Sequence, residues 1–144
     1  MRRRRIHGRY GRRWRSRCTL GAILATEQLG RATDGAAASV LRRIARDEAR
    51  HAELAWSFAK WAIEQGGDAV RDAIASAVEH AVSETLRTPI VTYDVDLATW
   101  HAHGRVTCAE AHAVALQGID QVIVPCARAL LGSRLGRLDS RAFA

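Results

Sequence analysis

The longest uninterrupted run of helix-forming residues, positions 36 to 65, does most to constrain the fold of this chain. The run contains neither proline nor glycine, and its apolar residues recur at spacings of three and four, the period of an α-helix. A first helix is predicted over about residues 18 to 32, and Asp34 in the short turn is a candidate cap for the second. Gly66 and Gly67 end the second helix. Two long helices joined by such a turn pack antiparallel.

A second pair of helices is predicted downstream. Asp68 is a candidate cap for a third helix that reaches about Leu86. Residues 87 to 106 show no clear period and form a long connection that is expected to pack across one end. The spacing of Thr107 and Glu110 is that of a capping box, and it opens a fourth helix to about residue 131. Pro125 lies inside that helix and is expected to bend or loosen it, because proline lacks a backbone donor.

The composition agrees with an all-α chain of one domain. The 144 residues suffice for a single sizeable core, aromatic residues make up only 6%, and there are two prolines. We therefore predict an antiparallel four-helix bundle with a long connection between helices three and four. The expected division is a basic, disordered arm at 1–17, the bundle at 18–132 and a tail at 133–144.

The amino-terminal arm is strongly basic, whereas the body is slightly acidic. Nine of the 22 basic residues lie in the first 17 positions, so 13 basic residues face 15 acidic residues beyond them. Arginines interleaved with Tyr10 and Trp14 are able to bind nucleic acid through phosphate contacts and stacking. The other interpretation is a leader that does not belong to the native first helix. Mass spectrometry of the natural amino terminus distinguishes them, since peptides from the arm would contradict a leader.

Targeting signals are weak in this sequence. The apolar stretch after the arm is short and has no small-residue cleavage site, so secretion is not supported. No run is expected to reach the roughly 18 apolar residues of a membrane-spanning helix. Cys18, Cys108 and Cys126 are odd in number and far apart, which argues against a disulfide framework. The cytoplasm is therefore the expected compartment, with no membrane partner.

One stripe of the second helix mixes a carboxylate and an imidazole with apolar residues. Glu48 and His51 are one turn apart, and both are predicted to face the interior because the opposite stripe is polar throughout. A carboxylate buried alone is costly, so Glu48 needs a partner, and a metal cation is one candidate. A metal-free hydrogen-bonded pair is the alternative. The full stripe comprises Ile44, Glu48, His51, Ala55, Phe58 and Ala62.

The stretches "ATEQLGRATD" and "IARDEARHAELAWSFAKWAIEQGG" resemble the first helical hairpin of the ferritin-like superfamily, especially bacterial proteins described only as ferritin-like domain-containing. The resemblance is strongest over residues 20 to 67. It implies a four-helix bundle with glutamates from helices one and three and Glu-x-x-His motifs from helices two and four. It also implies iron or manganese, with oxygen or peroxide chemistry or iron storage in active members.

Only the motif of the second helix is matched in this chain, by Glu48 and His51. Cys18 stands where the family has its bridging glutamate on helix one, and Glu27 lies nine residues away, roughly 13 Å along the axis. Helix four lacks a Glu-x-x-His motif, and His112 is its best candidate for a second imidazole. The candidate metal ligands are thus Glu48 and His51, followed by His112 and Cys18.

Three functions remain open at this point. The leading one is a ferritin-like protein with a degenerate half-site, structural or weakly metal-binding, and without an assigned catalytic residue. The second is an iron- or manganese-dependent oxidoreductase, which needs about two ions per chain or a site completed across a homodimer. The third is a nucleic-acid-binding module that uses residues 1 to 17, whose affinity would fall steeply with salt.

Overall fold

The computed structural model describes residues 14–132 and Leu135, with the backbone alone described for residues 14–17. This part of the chain contains helices and no strand. The predicted all-α class is therefore confirmed. In chain order the elements are α1 (Trp14–Arg31), α2 (Gly35–Leu86), α3 (Leu97–Ala102), α4 (Cys108–Gly118), a π-helical turn (Ile119–Ile123) and α5 (Val124–Leu131).

Helix α1 begins four residues earlier than the sequence predicts. Residues 14–17, which were predicted to belong to the arm, are the first residues of α1. No glycine or proline separates them from the rest of the helix, so nothing in their chemistry stops it there. Residues 1–13 of the predicted arm lie outside the described residues. At the other end, the carboxylate of Asp34 accepts from the backbone amide of Ala37 at 2.8 Å, which confirms it as the cap of α2.

Helix α2 is interrupted at a single residue. Gly67 has φ 59° and ψ −145°, a conformation that glycine adopts far more readily than any residue with a β-carbon. The predicted break at Gly66 and Gly67 is therefore confirmed, although the backbone is helical again at once and continues to Leu86. We call residues 35–66 the first half of α2 and residues 68–86 the second half.

The core joins both halves of α2 to the carboxyl-terminal helices. Leu20 of α1 and Trp56 of α2 pack against it from the side, and Leu135 packs on it beyond α5. The other residues of the predicted tail, 133–134 and 136–144, lie outside the described residues. The buried cluster consists of Ala59, Ile63, Ile74, Ala75, Val78, Val82, Ile119, Ile123, Val124, Ala127 and Leu131.

Pro125 loosens the last helix as predicted. The amide of Val124 donates to the carbonyl oxygen of Ile119, five residues back, which is the hydrogen bond of a π-helix. Pro125 follows directly and has no amide to donate. The wider turn places Ile119 and Ile123 in the core, where each is 1% exposed.

The connection after α2 contains one element that the sequence did not predict. Asp96 caps helix α3, and its side chain accepts from the amide of Ala98 at 3.2 Å. The last carbonyl of α3, that of Ala102, accepts from the amides of Thr33 and Asp34 at 3.0 and 2.9 Å. These bonds hold the connection against the turn between α1 and α2.

Within the described residues, one helical stretch, Cys108–Leu131, is long and apolar enough to cross a membrane by length and composition alone. The prediction that no stretch meets this criterion is therefore wrong. The same stretch supplies Ile119, Ile123 and Leu131 to the core, and 33% of its most apolar window is buried. Its apolarity thus has an explanation in the packing of α2 against α5.

Candidate functional site

Glu48 lies against α1 at the level that the sequence predicts. A β-carbon built on Gly21 would be 3.3 Å from Oε2 of Glu48, so the two backbones approach closely here. Cys18, one turn away on α1, is buried. Burial raises the pKa of the Cys18 thiol above its ordinary value, and the nearby Glu48 carboxylate raises it further. Cys18 therefore presents a thiol held in its neutral form beside Glu48.

His51 does not face the interior. Its side chain is exposed, as are those of Ile44 and Phe58 from the same predicted stripe. The buried face of the first half is made by Ala52, Ala55, Ala59 and Ile63, of which only Ala55 belongs to the predicted stripe, and its centre lies roughly 60° further around the helix axis. The prediction that Glu48 and His51 point together into the bundle is wrong for His51. Small alanines face inward here, and larger apolar residues face outward. The helical spacing of apolar residues in the sequence therefore combines both sets and predicts a direction that lies between the two faces.

The other candidate ligands are dispersed. His112 is half-buried on α4, and the thiols of Cys108 and Cys126 are exposed. Glu27 forms an ion pair with Arg31 at 2.8 Å. Across residues 14–132 no three histidine, cysteine, aspartate or glutamate side chains are grouped as a metal would require.

The donor set around Glu48 does not fit a pair of iron or manganese ions. Such a site in a helix bundle takes a glutamate from each of two helices and Glu-x-x-His from each of the others. Here one carboxylate faces one thiol, and only a thiolate is a good ligand. Within the described part of the chain, Glu48 and Cys18 are not grouped with the carboxylates and imidazoles that would complete the site.

A polar cluster that the sequence did not reveal joins α1, α3 and α4. Arg31 donates from Nη1 to Oε1 of Glu110 in a short contact. His101 places Nε2 3.0 Å from Oε1 of Glu110 and 3.2 Å from Nη1 of Arg31. We assign the proton of the imidazole to Nε2, because a carboxylate accepts from it there. Arg31 and His101 thus converge on one carboxylate.

Glu110 is held in its charged form by this cluster. The amide of Thr107 donates to Oε2 at 2.8 Å, and that bond is the first cause of a pKa lowered to about 2. His101, the hydroxyl of Thr107 and Arg31 lower the pKa further, against partial desolvation. The pKa of Arg31 is raised, first by Glu27 and then by Glu110. The cluster fixes three helices to one another and leaves few lone pairs for a ligand.

Part of this cluster was visible in the sequence. The predicted capping box is confirmed, since Thr107 and Glu110 exchange both hydrogen bonds. Arg31 and His101 carry no such signal, because they lie 79 and 9 residues from Glu110 and meet it only through tertiary packing. In the sequence, Arg31 is explained by its place in the last turn of α1, where a cation interacts favourably with the helix dipole.

An open groove of about 380 Å³ separates α1 from α4 and the π-helical turn. Its floor is apolar, and Glu27 is the ionisable residue in its lining. Glu27 is already paired with Arg31. The groove is therefore a concave surface whose lining polar groups do not converge on one ligand position. It is lined by Ala22, Ile23, Thr26, Glu27, Val114, Gln117, Gly118, Gln121 and Val122.

Comparison with known protein families, curated proteins and solved structures finds no match to this chain.

Proposed function

We propose that this chain is a ferritin-like, antiparallel four-helix bundle whose interior metal site is degenerate and which serves a structural or interaction role. The resemblance of residues 20 to 67 to the family's first hairpin supports the fold. The meeting of α1 and α2 at Gly21 and Glu48 supports the register of that hairpin. The proposal explains why a glutamate remains at the seam without the partners of a metal centre.

The observation behind the proposal is the pairing of Glu48 with a protonated thiol. Cys18 is buried beside Glu48, and its raised pKa keeps it neutral. Glu48 itself is half-buried at the edge of the pair of helices α1 and α2. The metal-dependent oxidoreductase predicted as an alternative needs ligands that residues 14–132 do not group together.

Thermal unfolding with and without metal ions tests the proposal. A metal ion present at a free concentration of one hundred times its Kd adds about 2.7 kcal/mol to the free energy of unfolding of a protein that binds it. That gain corresponds to several degrees in Tm for a domain of this size. We expect no such rise with manganese, iron(II) or zinc. A rise in the wild type that is lost in Glu48→Ala, and kept in the control Glu53→Ala on the exposed side of the same helix, would contradict the proposal.

A further inference from the structure

The first half of α2 carries exposed apolar residues along its outer side, with Asp47 and His51 between them. Val40 and Leu54 are each 59% exposed, and Trp61 is 54% exposed. The rings of Phe58 and Trp61 are in contact, with centroids 5.5 Å apart. We call the set the outer stripe; it consists of Val40, Ile44, Asp47, His51, Leu54, Phe58 and Trp61, which step by four and three in strict alternation.

The alternation of four and three is the period of a helix that packs along another helix. Residues at this spacing form the seam of a coiled coil, with each side chain inserted between those of the facing helix. The inner face of the same half is made mostly of alanines, with Ile63 and Trp56 as its large apolar residues, whereas Phe58 and Trp61 lie on the outer stripe. Large apolar patches of this kind mark interaction sites in folded domains. The outer stripe therefore has the size and spacing of a helix-docking surface.

We propose that the outer stripe is a homodimer interface in which α2 packs antiparallel against α2 of a second copy, with the two-fold axis at the level of Ala49. This register places Val40 against Phe58 of the partner subunit. It places Ile44 against Leu54 of the partner subunit, so that apolar residues meet apolar residues on both sides of the centre.

The two polar members of the stripe select this register. Asp47 faces His51 of the partner subunit, and the two-fold axis repeats the pair, so an acid meets an imidazole twice at the centre. A parallel pairing would set Asp47 against Asp47 of the partner subunit, which places like charges together. An antiparallel register shifted by one heptad would set Asp47 against Phe58 of the partner subunit. The outer stripe is thus complementary to itself in one arrangement.

A helix from an unrelated protein does not account for this symmetry. From Val40 to Phe58 the stripe reads apolar, apolar, acid, imidazole, apolar, apolar, an order that is its own complement when it is reversed; Trp61 lies beyond this symmetric part. That property is required of a surface that binds a second copy across a two-fold axis. It does not depend on the Glu48 site, which lies on a different face of the helix.

Sedimentation velocity over a range of protein concentrations tests the dimer. We expect the full-length wild type to be dimeric and Leu54→Glu to weaken association at least tenfold. The control is Leu86→Glu, which makes the same change at another exposed leucine of α2, 40% exposed and outside the stripe. Helical circular dichroism verifies that each variant is folded. A monomeric wild type would overturn the proposal, as would a dimer that Leu54→Glu leaves intact.

Disulfide cross-linking tests the register. Ile44→Cys and Leu54→Cys are combined in a chain in which the exposed Cys108 and Cys126 are replaced by serine. Ten residues separate positions 44 and 54 on one helix, about 15 Å, so a disulfide between them has to join two copies. We expect a covalent dimer from the double variant and none from either single variant. A cross-link in the single variants would indicate a parallel dimer and overturn the register.

The charge pair offers a second test that keeps the helix intact. Asp47→His alone sets imidazole against imidazole and is expected to weaken association severalfold. Adding His51→Asp restores opposite partners in the reversed sense and is expected to recover most of the affinity. Failure of the double exchange to recover association would contradict the facing of Asp47 and His51 across the axis. Protection of the stripe by the chain's own terminal segments would give a monomeric wild type, which also overturns the proposal.

Discussion

Gly21 of α1 and Glu48 of α2 face each other so closely that a β-carbon on the glycine would be 3.3 Å from the carboxylate oxygen. Among the described residues, neither the second carboxylate nor the imidazole that a metal pair needs is grouped with Glu48 here. The atoms that a β-carbon on Gly21 would meet belong to the end of the flexible Glu48 side chain. The effect of adding that β-carbon therefore reports whether the Glu48 side chain is free to shift. The mobility of Glu48 is therefore open to measurement.

Replacement of Gly21 by alanine is expected to stabilise the protein by about 0.5–1 kcal/mol. Alanine favours a helix interior over glycine by roughly 1 kcal/mol, and Glu48 needs to move only a few tenths of an ångström to admit the methyl group. Urea unfolding measures the change. Gly30→Ala is the control, since nothing lies within 4 Å of a β-carbon there. Destabilisation by Gly21→Ala alone would mean that Glu48 is held in place.

Glu110→Gln is expected to destabilise the protein by about 2 kcal/mol at neutral pH. The substitution removes the charge from hydrogen bonds with Arg31, His101 and Thr107. A hydrogen bond to a charged group contributes about 1.5–3 kcal/mol to stability. Glu27→Gln is the matched control, because it removes the more exposed partner of the same arginine and is expected to cost about 0.5 kcal/mol. Equal effects of the two variants in urea unfolding would contradict the importance of the cluster.

The contribution of Glu110 is expected to disappear in acid. Its pKa is lowered from an ordinary value of 4.5 to about 2 in the folded protein. The unfolded chain therefore binds the proton first, so the stabilisation is complete above about pH 5 and is lost as the pH falls toward 2. Urea unfolding of the wild type and Glu110→Gln from pH 7 to pH 3 should show their difference shrinking. A constant difference would contradict the lowered pKa.

Gly104→Ala is expected to destabilise the protein by about 2–4 kcal/mol. Gly104 has φ 70°, and a β-carbon there would collide with Leu41 and lie 3.1 Å from the carbonyl oxygen of Gln28. The control is Gly132→Ala, because Gly132 has φ 62° and no atom lies within 4 Å of a β-carbon built there. Its loss of stability measures the backbone strain alone, which is expected to be about 1 kcal/mol. Thermal unfolding of both variants measures the difference. Equal losses of stability would mean that the connection does not pack tightly on α1 and α2.

Local chemistry explains which features were predictable from the sequence. Asp34, the Thr107 and Glu110 box, the break at Gly67 and the loosening at Pro125 each depend on residues within five positions, and each is confirmed. The orientation of His51 was not predictable, because alanines inside and larger apolar residues outside blur the helical period. The positions of Arg31 and His101 were also hidden, since the cluster arises from the packing of three helices.

The most direct test of a degenerate site is elemental analysis of the purified protein after incubation with iron(II), manganese or zinc and removal of free ions. The account predicts well below one ion per chain, with no difference between the wild type, Glu48→Ala and His51→Ala. About two ions per chain, lost in both variants, would contradict it and identify a working metal centre at the α1 and α2 seam.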